Sequence, residues 1–424
     1  MKEDFLHYVW KFQVFGASGL TTADKEILQI IHPGSHNSNA GPDFVNAQIV
    51  LGAQHWAGNV EIHLKSSDWY AHKHEIDSAY ENVILHVVWQ HDAEIYRKDG
   101  SVIPTFILKN YLQPHTLQMY SKLFAKGNLW MNCENDFPGI DTFLIENWLE
   151  RLYFERLQEK QGFILQELKE SQNHWESLLF RMLCRNFGLK VNGTSFLSIA
   201  KSLDFSIVKK CMQDTLELEA LLMGQAGLFE KDLEDWYFSS QKKRYDYQKR
   251  KYNLDNAHVI KPIFFRLRPP NFPTLRLSQL AVLYAERQNL FQEIIEVKKL
   301  EEFYDIFKVA ANEYWDTHFN FGLSTMSRKK WFSKSFVDLL VINTIIPLKF
   351  CYAEKMGTDV TEEIIALSTE IASEDNKIIK KFNSLKPIAR SAQQSQGLLQ
   401  MKHFYCDKNR CLHCAVGNSL LRRG

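Results

Sequence analysis

The sequence predicts an α/β domain over residues 1–115, with the element order αβββαβ on a mixed sheet, followed by a large all-α domain. Three observations predict it. Short apolar runs occur before residue 112, whereas apolar residues recur every three or four positions almost without a break after residue 141. One early run, 83–89, is nearly all apolar, as a strand buried on both faces requires. Turn signals separate the early runs: Pro33-Gly34, Gly52 and Asp99-Gly100.

In order, Phe5, Tyr8, Val9 and Phe12 lie at helical spacing, so residues 5–12 open the chain as a helix. Residues 26–31 form a first strand, stopped by His32-Pro33-Gly34, and a loop of small and polar residues covers 35–41. A second strand spans 44–51, with a turn at 52–55. Residues 59–65 alternate: Val60, Ile62 and Leu64 point one way, and Glu61, His63 and Lys65 the other. A short helix is expected at 77–82, then the central strand at 83–89. Residues 95–97 and 102–108 are the arms of a hairpin about Asp99-Gly100.

Beyond a linker at 116–140, which carries Cys133, helices are expected at 143–169, 175–187, 216–241, 277–300, 301–315, 336–352 and 361–383. The proline-rich stretch 268–273 breaks this pattern and allows a division of the helical domain, 141–400, near residue 260. Residues 401–424 form a cysteine-rich tail.

Composition sets bounds on function. A chain of 424 residues, 45% hydrophobic, exceeds what one core organises, so two or three domains are expected. Lys and Arg number 51 against 50 Asp and Glu, which excludes a globally basic nucleic-acid binder and leaves a local basic patch open. The longest apolar run, 337–348, is interrupted by Asp338 and Asn343 and falls short of the ~20 residues of a membrane span. With no apolar signal core after Met1-Lys2-Glu3-Asp4, the expectation is a cytoplasmic protein without a membrane partner. Seven unevenly placed cysteines fit a reducing compartment, and Cys184, Cys211 and Cys351, single in apolar helical segments, read as small buried hydrophobes.

The informative stretch is Pro42-Asp43 before the second strand and Glu61-Ile62-His63-Leu64-Lys65 on the third. Mg²⁺ or Mn²⁺ prefers oxygen ligands, and two adjacent strands can bring Asp43 and Glu61 to one ion. A carboxylate, an imidazole and an ammonium in a row at about 6–7 Å intervals suit metal-assisted hydrolysis of a phosphodiester. The opposing interpretation is that Glu61, His63 and Lys65 form the solvated face of an edge strand.

These residues resemble the core of the PD-(D/E)xK, or restriction-endonuclease-like, nuclease superfamily over residues 5–110. Pro42-Asp43 matches its first motif element and Glu61 the acidic position of its second. His63 stands where that family has lysine, so either His63 or Lys65 would take that role. The resemblance implies a metal-dependent nuclease acting on DNA or RNA, with a scaffold retained only for binding nucleic acid or protein as the alternative. The whole chain also resembles an uncharacterised bacterial family, which implies no activity. His72 and His74, expected in a loop, and His86, expected as a core histidine, leave open a His/Asp metal hydrolase acting on a small phosphoester.

Cys406-x4-Cys411-x2-Cys414 near the C-terminus carries three thiols within nine residues. Zn²⁺ takes four ligands, and Cys133 is the best fourth, with His403 or His413 as substitutes. A [4Fe–4S] cluster is the alternative. Finally, Lys242, Lys243, Arg244, Lys249, Arg250 and Lys251 interleave with Tyr245, Tyr247 and Tyr252, as a segment tracking a nucleic-acid strand could. Arg266, Arg268 and Arg276 are a second such group.

Overall fold

Glu3 and Asp4 supply the carboxylates that a helix start favours and Lys11 closes the last turn, giving α1 (Glu3–Lys11). Phe5, Leu6, Tyr8, Val9 and Trp10 are buried on it, while His7 stays half-buried. The strands are β1 (Leu28–His32), β2 (Ser35–His36), β3 (Phe44–Leu51), β4 (Gln54–Lys65), β5 (Val83–Gln90) and β6 (Thr105–Ile107), with α2 (Asp68–Ala71) between β4 and β5. They form one sheet in the order β1-β3-β4-β5-β6, with β2 on β3. β3 runs antiparallel to both β1 and β4, whereas β4–β5 and β5–β6 are parallel, so the sheet is mixed. Residues Val83 to Val88 are buried, as the apolar run requires of a strand with neighbours on both edges.

The structure, a computed structural model, describes residues 1–16, 18–37, 39–125 and 129–422. Ser38 of the expected loop, residues 126–128 of the expected linker and residues 423–424 of the expected tail lie outside the described residues. The chain divides into two compact units, Met1–Trp148 with Ser384–Lys386 and Met401–Gly424, and Leu149–Asn383 with Pro387–Gln400. The first unit is α/β and the second rich in α-helix.

Three expectations in the first unit change. β4 begins at Gln54 rather than 59, because the turn closes over Gly52 and Ala53 alone, with Gly52 at φ 57°. The short helix expected at 77–82 is a single 3₁₀ turn, Ser78–Tyr80. Lys73 adopts a left-handed conformation after α2, and Asp77 caps only the single turn Ser78–Tyr80 through the Ala79 N–H. The hairpin at Asp99-Gly100 forms its turn and one bridge, Tyr96 to Val102, before its second arm leaves. Pro104 has no N–H for the hairpin ladder; its carbonyl accepts from His86, and Thr105–Ile107 joins β5 in parallel.

In the second unit the expected helices at 216–241, 277–300 and 361–383 each divide, into Thr215–Gln225 and Trp236–Tyr252, into Pro273–Glu286 and Leu290–Glu296, and into Thr361–Glu370 and Lys377–Leu385, while that at 301–315 shortens to Leu300–Ile306. Gly227, at φ +72°, turns the chain away after the first. The helices Leu189–Lys201, Phe205–Cys211 and Ala392–Gln400 were not expected. The stretch Lys334–Met356 is helical for 23 residues, longer than its apolar run suggests; by length and composition alone it could cross a membrane, and 72% of its most apolar window is buried. A π turn, Val341–Ile345, interrupts it.

Gly58 lies where β4 presses on the start of β5: a Cβ there would sit 2.5 Å from Ile84 Cγ2 and 2.6 Å from the Asn82 carbonyl. Gly58→Ala is therefore expected to cost about 1–3 kcal/mol of stability, read as a lowered midpoint of urea unfolding.

Candidate metal centre

Asp43 immediately precedes β3, and Glu61 lies in β4, antiparallel to it with Phe44 opposite Val60. Two hydrogen bonds lock them together. The Asp43 N–H donates to Glu61 Oε2 and the Ile62 N–H donates to Asp43 Oδ2, both at 3.0 Å. Each carboxylate is thus held by the backbone beside the other. Glu61 is only 5% exposed, and burial, reinforced by the Asp43 charge, pushes its pKa up to about 9. Helix α1 adds Glu3 and His7, one turn apart. His7 Nε2 lies 3.2 Å from Asp43 Oδ2. Burial opposes charge on His7, but Asp43 outweighs it, and the His7 pKa is raised. Burial likewise raises Glu3, whose carboxylate accepts from the Leu64 N–H.

Around Glu61 stand imidazoles. His63, beside it on β4, and His74 place Nε2 at 3.5 and 3.4 Å from Glu61 Oε1. His63 Nε2 also lies 3.1 Å from His72 Nδ1, and its Nδ1 lies 2.8 Å from His86 Nε2. One ring nitrogen each from His63, His72 and His74 falls within 4.8 Å of the others, a spread that one ion can span. Burial drives the His63 pKa down to about 4 and lowers those of His74 and His86, so these rings are neutral and can act as ligands. With the His63 proton on Nδ1 and donated to His86, its Nε2 lone pair faces Glu61 and His72, the arrangement that a second sphere imposes on a ligating histidine. Tyr80 stacks on His74 at 3.8 Å, and Trp69 meets the rings of His74 and His86 edge-on.

The solvated-face interpretation of β4 fails: Glu61 and His63 are both buried, because α1 and the 68–80 segment cover that face. Lys65 does not join them. It is exposed at the strand end with its N–H on Asp68, and among the described residues its amine pairs with neither Asp43 nor Glu61, whose ionic partners are His7, His63 and His74. His72 and His74 were expected as exposed loop residues: His72 is exposed in the turn after α2 and His74 is half-buried, and both reach the centre, while His86 is the hydrogen-bonded core histidine expected. Sequence reasoning missed Glu3 and His7; their only signal was an i, i+4 spacing on the first helix.

The four cysteines meet in the first unit. Cys133, Cys406, Cys411 and Cys414 line one cavity of about 10 Å³, walled by Leu123, Met401 and Val416. Burial and the neighbouring sulfurs raise the Cys133, Cys406 and Cys411 thiols, the last to about 11. Burial also raises Cys414, against donors from the Val416 and Gly417 backbone at the start of the helix Ala415–Arg422 and from Trp148. Asn132 Nδ2 donates to Cys411 Sγ at 3.5 Å. Gly417 is needed here, since a Cβ would fall 2.1 Å from the Cys411 carbonyl. His403 and His413 are exposed and do not line the cavity.

The basic segment lies on the helix Trp236–Tyr252, and its alternation does not survive helical spacing. Lys242 pairs with Asp232, and Arg244 pairs with Glu217. Tyr245 is core, whereas Lys243, Tyr247, Lys249, Arg250 and Lys251 are exposed, the Lys251 amine over the Tyr247 and Tyr252 rings. Arg276 is also core, over the Phe336 ring and bonded to Asn271 and Gln279, so it cannot meet a strand of nucleic acid.

The imidazole cluster is expected to bind one Mn²⁺ or Zn²⁺ per centre, and His74→Ala to weaken that binding at least about 10-fold in calorimetric titration. His86→Leu, which touches no ion, is expected to weaken it less but measurably, because the His63 tautomer is then unsupported. Unchanged affinity in both variants would remove the centre.

No curated protein matches the chain, and no solved structure matches it. A family described as "Protein of unknown function (DUF2851)" matches residues 3–377, a span that includes Asp43, Glu61, the four clustered histidines and Cys133 and ends before Cys406. The chain belongs to this DUF2851 family.

Proposed function

We propose that this chain is a metal-dependent phosphodiester hydrolase, a nuclease of the PD-(D/E)xK type. The observation that carries the reading is the pairing of half-buried Asp43 with buried Glu61, each carboxylate held by backbone beside the other where β3 and β4 meet. Asp43 raises the pKa of buried Glu61, and among the described residues His7 is the one protonated partner beside them, so a divalent ion would relieve that repulsion. Glu61, His63, His72 and His74 would hold it, with Asp43 on the His7 side. This donor set, rich in nitrogen, favours Mn²⁺ over Mg²⁺. When bound, such an ion supplies Lewis acidity toward a phosphoryl oxygen and acidifies water.

The protein's own residues then divide the remaining tasks. His7, whose pKa Asp43 raises, holds a proton beside the carboxylates and supplies the positive charge that the lysine of the superfamily motif would. His86 fixes the orientation of His63, and Trp69 and Tyr80 exclude water from the far side of the ring cluster.

Cleavage of labelled DNA and RNA with Mn²⁺ or Mg²⁺ tests this. Asp43→Asn and Glu61→Gln are expected to lose activity about 100-fold or more, His7→Gln about 10-fold or more, and Lys65→Ala to resemble wild type. Equal cleavage by wild type, Asp43→Asn and Glu61→Gln would end the proposal. The imidazole content also supports hydrolysis of a small phosphoester; turnover of bis-p-nitrophenyl phosphate with no cut in either nucleic acid would select that reading.

For the four cysteines we infer a structural zinc ion. The support is that Cys133, Cys406, Cys411 and Cys414 all line one small apolar cavity, and four thiolates are a ligand set that zinc accepts. Purified protein is expected to carry one zinc held by these thiols, and Cys133→Ser to release it and lower the unfolding temperature. Acid-labile sulfide with visible charge-transfer absorption would replace zinc by an iron–sulfur cluster.

A further inference from the structure

The helical unit has its own unbalanced charge. A cavity of about 520 Å³ opens between the helices Thr142–Glu170, Trp175–Phe187 and Leu189–Lys201 and the stretch Lys334–Met356. Lys160, Arg185 and Lys190 line it together with Asn186, Thr194 and Asn343, and no lining residue is acidic. Among the described residues none of the three cations has a carboxylate in ion-pair reach. Lys160 Nζ donates to an uncharged acceptor, Asn343 Oδ1, at 3.1 Å. The acid that most influences Lys160, Glu374, is occupied as an acceptor for Gln396 and Ser395. Arg185 is held over the Phe163 ring at 4.1 Å, which fixes its guanidinium at the rim.

Local backbone supports a built site. Asn343 lies inside the π turn Val341–Ile345, and the next residue, Thr344, accepts from Asn186 Nδ2 at 2.7 Å. An extra residue in a helical turn weakens the regular ladder, and such turns are kept mostly where they place a functional group. Here the turn aims an amide at the lysine amine. Half-buried Lys160 meets an uncharged acceptor at the cavity wall while Arg185 and Lys190 stand exposed at its rim, so an anion entering there would gain all three cations. Burial, then Arg156, lowers the Lys160 pKa to about 7, the response of an amine lacking a counter-charge.

We infer that this cavity binds a small molecule carrying a phosphate group on an apolar or aromatic body, with Lys160 and Arg185 taking the phosphate. Three cations match a dianion better than a single carboxylate, and guanidinium geometry suits phosphate oxygens. Ile164, Met182 and Leu189 supply the apolar wall for the remainder. The volume falls in the range of about 300–1,000 Å³ typical of small-molecule sites. The inference stands independently of the hydrolase reading.

The test is calorimetric titration of the full chain, in the Asp43→Asn background so that binding at the carboxylates is not counted, with adenosine 5′-monophosphate, inorganic phosphate and adenosine as probes. The nucleotide is expected to bind more tightly than phosphate, and adenosine not to bind. Lys160→Met and Arg185→Gln are each expected to weaken nucleotide binding about 10-fold or more. Arg185 is exposed, so Arg185→Gln keeps the test valid if Lys160→Met does not fold, as judged by circular dichroism. Absence of binding by both phosphate-bearing probes, or unchanged affinity in Arg185→Gln, overturns the inference. A single-stranded oligonucleotide that displaces the nucleotide and binds more tightly also overturns it, in favour of a nucleic-acid path.

Discussion

The reciprocal bond between Asp43 and Glu61 is the constraint on which the centre depends. Each residue's carboxylate accepts a backbone N–H from the facing segment, at Asp43 and at Ile62, so separating the acids costs both hydrogen bonds. Two neighbouring carboxylates, one of them buried, would otherwise repel and drift toward water. Backbone donors hold this pair where repulsion would otherwise disperse it. The histidines then assemble on Glu61 from two directions, His63 from the same strand and His74 from the segment after α2, with His72 closing on His63.

The same logic of unsatisfied groups recurs within each unit. Glu61 is a buried acid with a raised pKa, Cys133, Cys406 and Cys411 are thiols raised by burial and by neighbouring sulfurs, and Lys160 is an amine lowered by burial and by Arg156. In each case like groups gather in one place with fewer opposite charges than they need, which folding alone would not favour. By contrast, Glu219 is also fully buried, but Tyr237, Ser278 and Trp315 satisfy its oxygens, so it reads as a structural acid.

Much of the first unit was legible. Phe44–Leu51 and Val83–Gln90 appear almost as the apolar runs place them, because strand burial and strand composition report the same physical demand. Asp43 and Glu61 were legible as a pair from Pro-Asp and an acid on the next alternating strand. Lys65 misled, since period-two alternation gives the face of a residue and not whether that face is still covered at the strand end. The basic helix misled similarly: consecutive cations and tyrosines in sequence spread around a helix, sending Tyr245 inward and Tyr247 outward.

What the sequence by itself determined is local: strand and helix periodicity, the turn residues, and the presence of four metal-capable cysteines. Periodicity is set by side-chain geometry over a few residues, so it can be read without knowing the fold. Tertiary structure alone decided which distant groups share a point. It brought His7 from α1 to Asp43, set His72 and His74 of a polar segment beside His63 and Glu61, and left Pro104 to send the second hairpin arm to β5. It also set Cys133 beside Cys406, Cys411 and Cys414, and Arg185 and Lys190 around Lys160. Those meetings depend on how elements remote in sequence pack, and packing is a property of the whole core rather than of any window of residues.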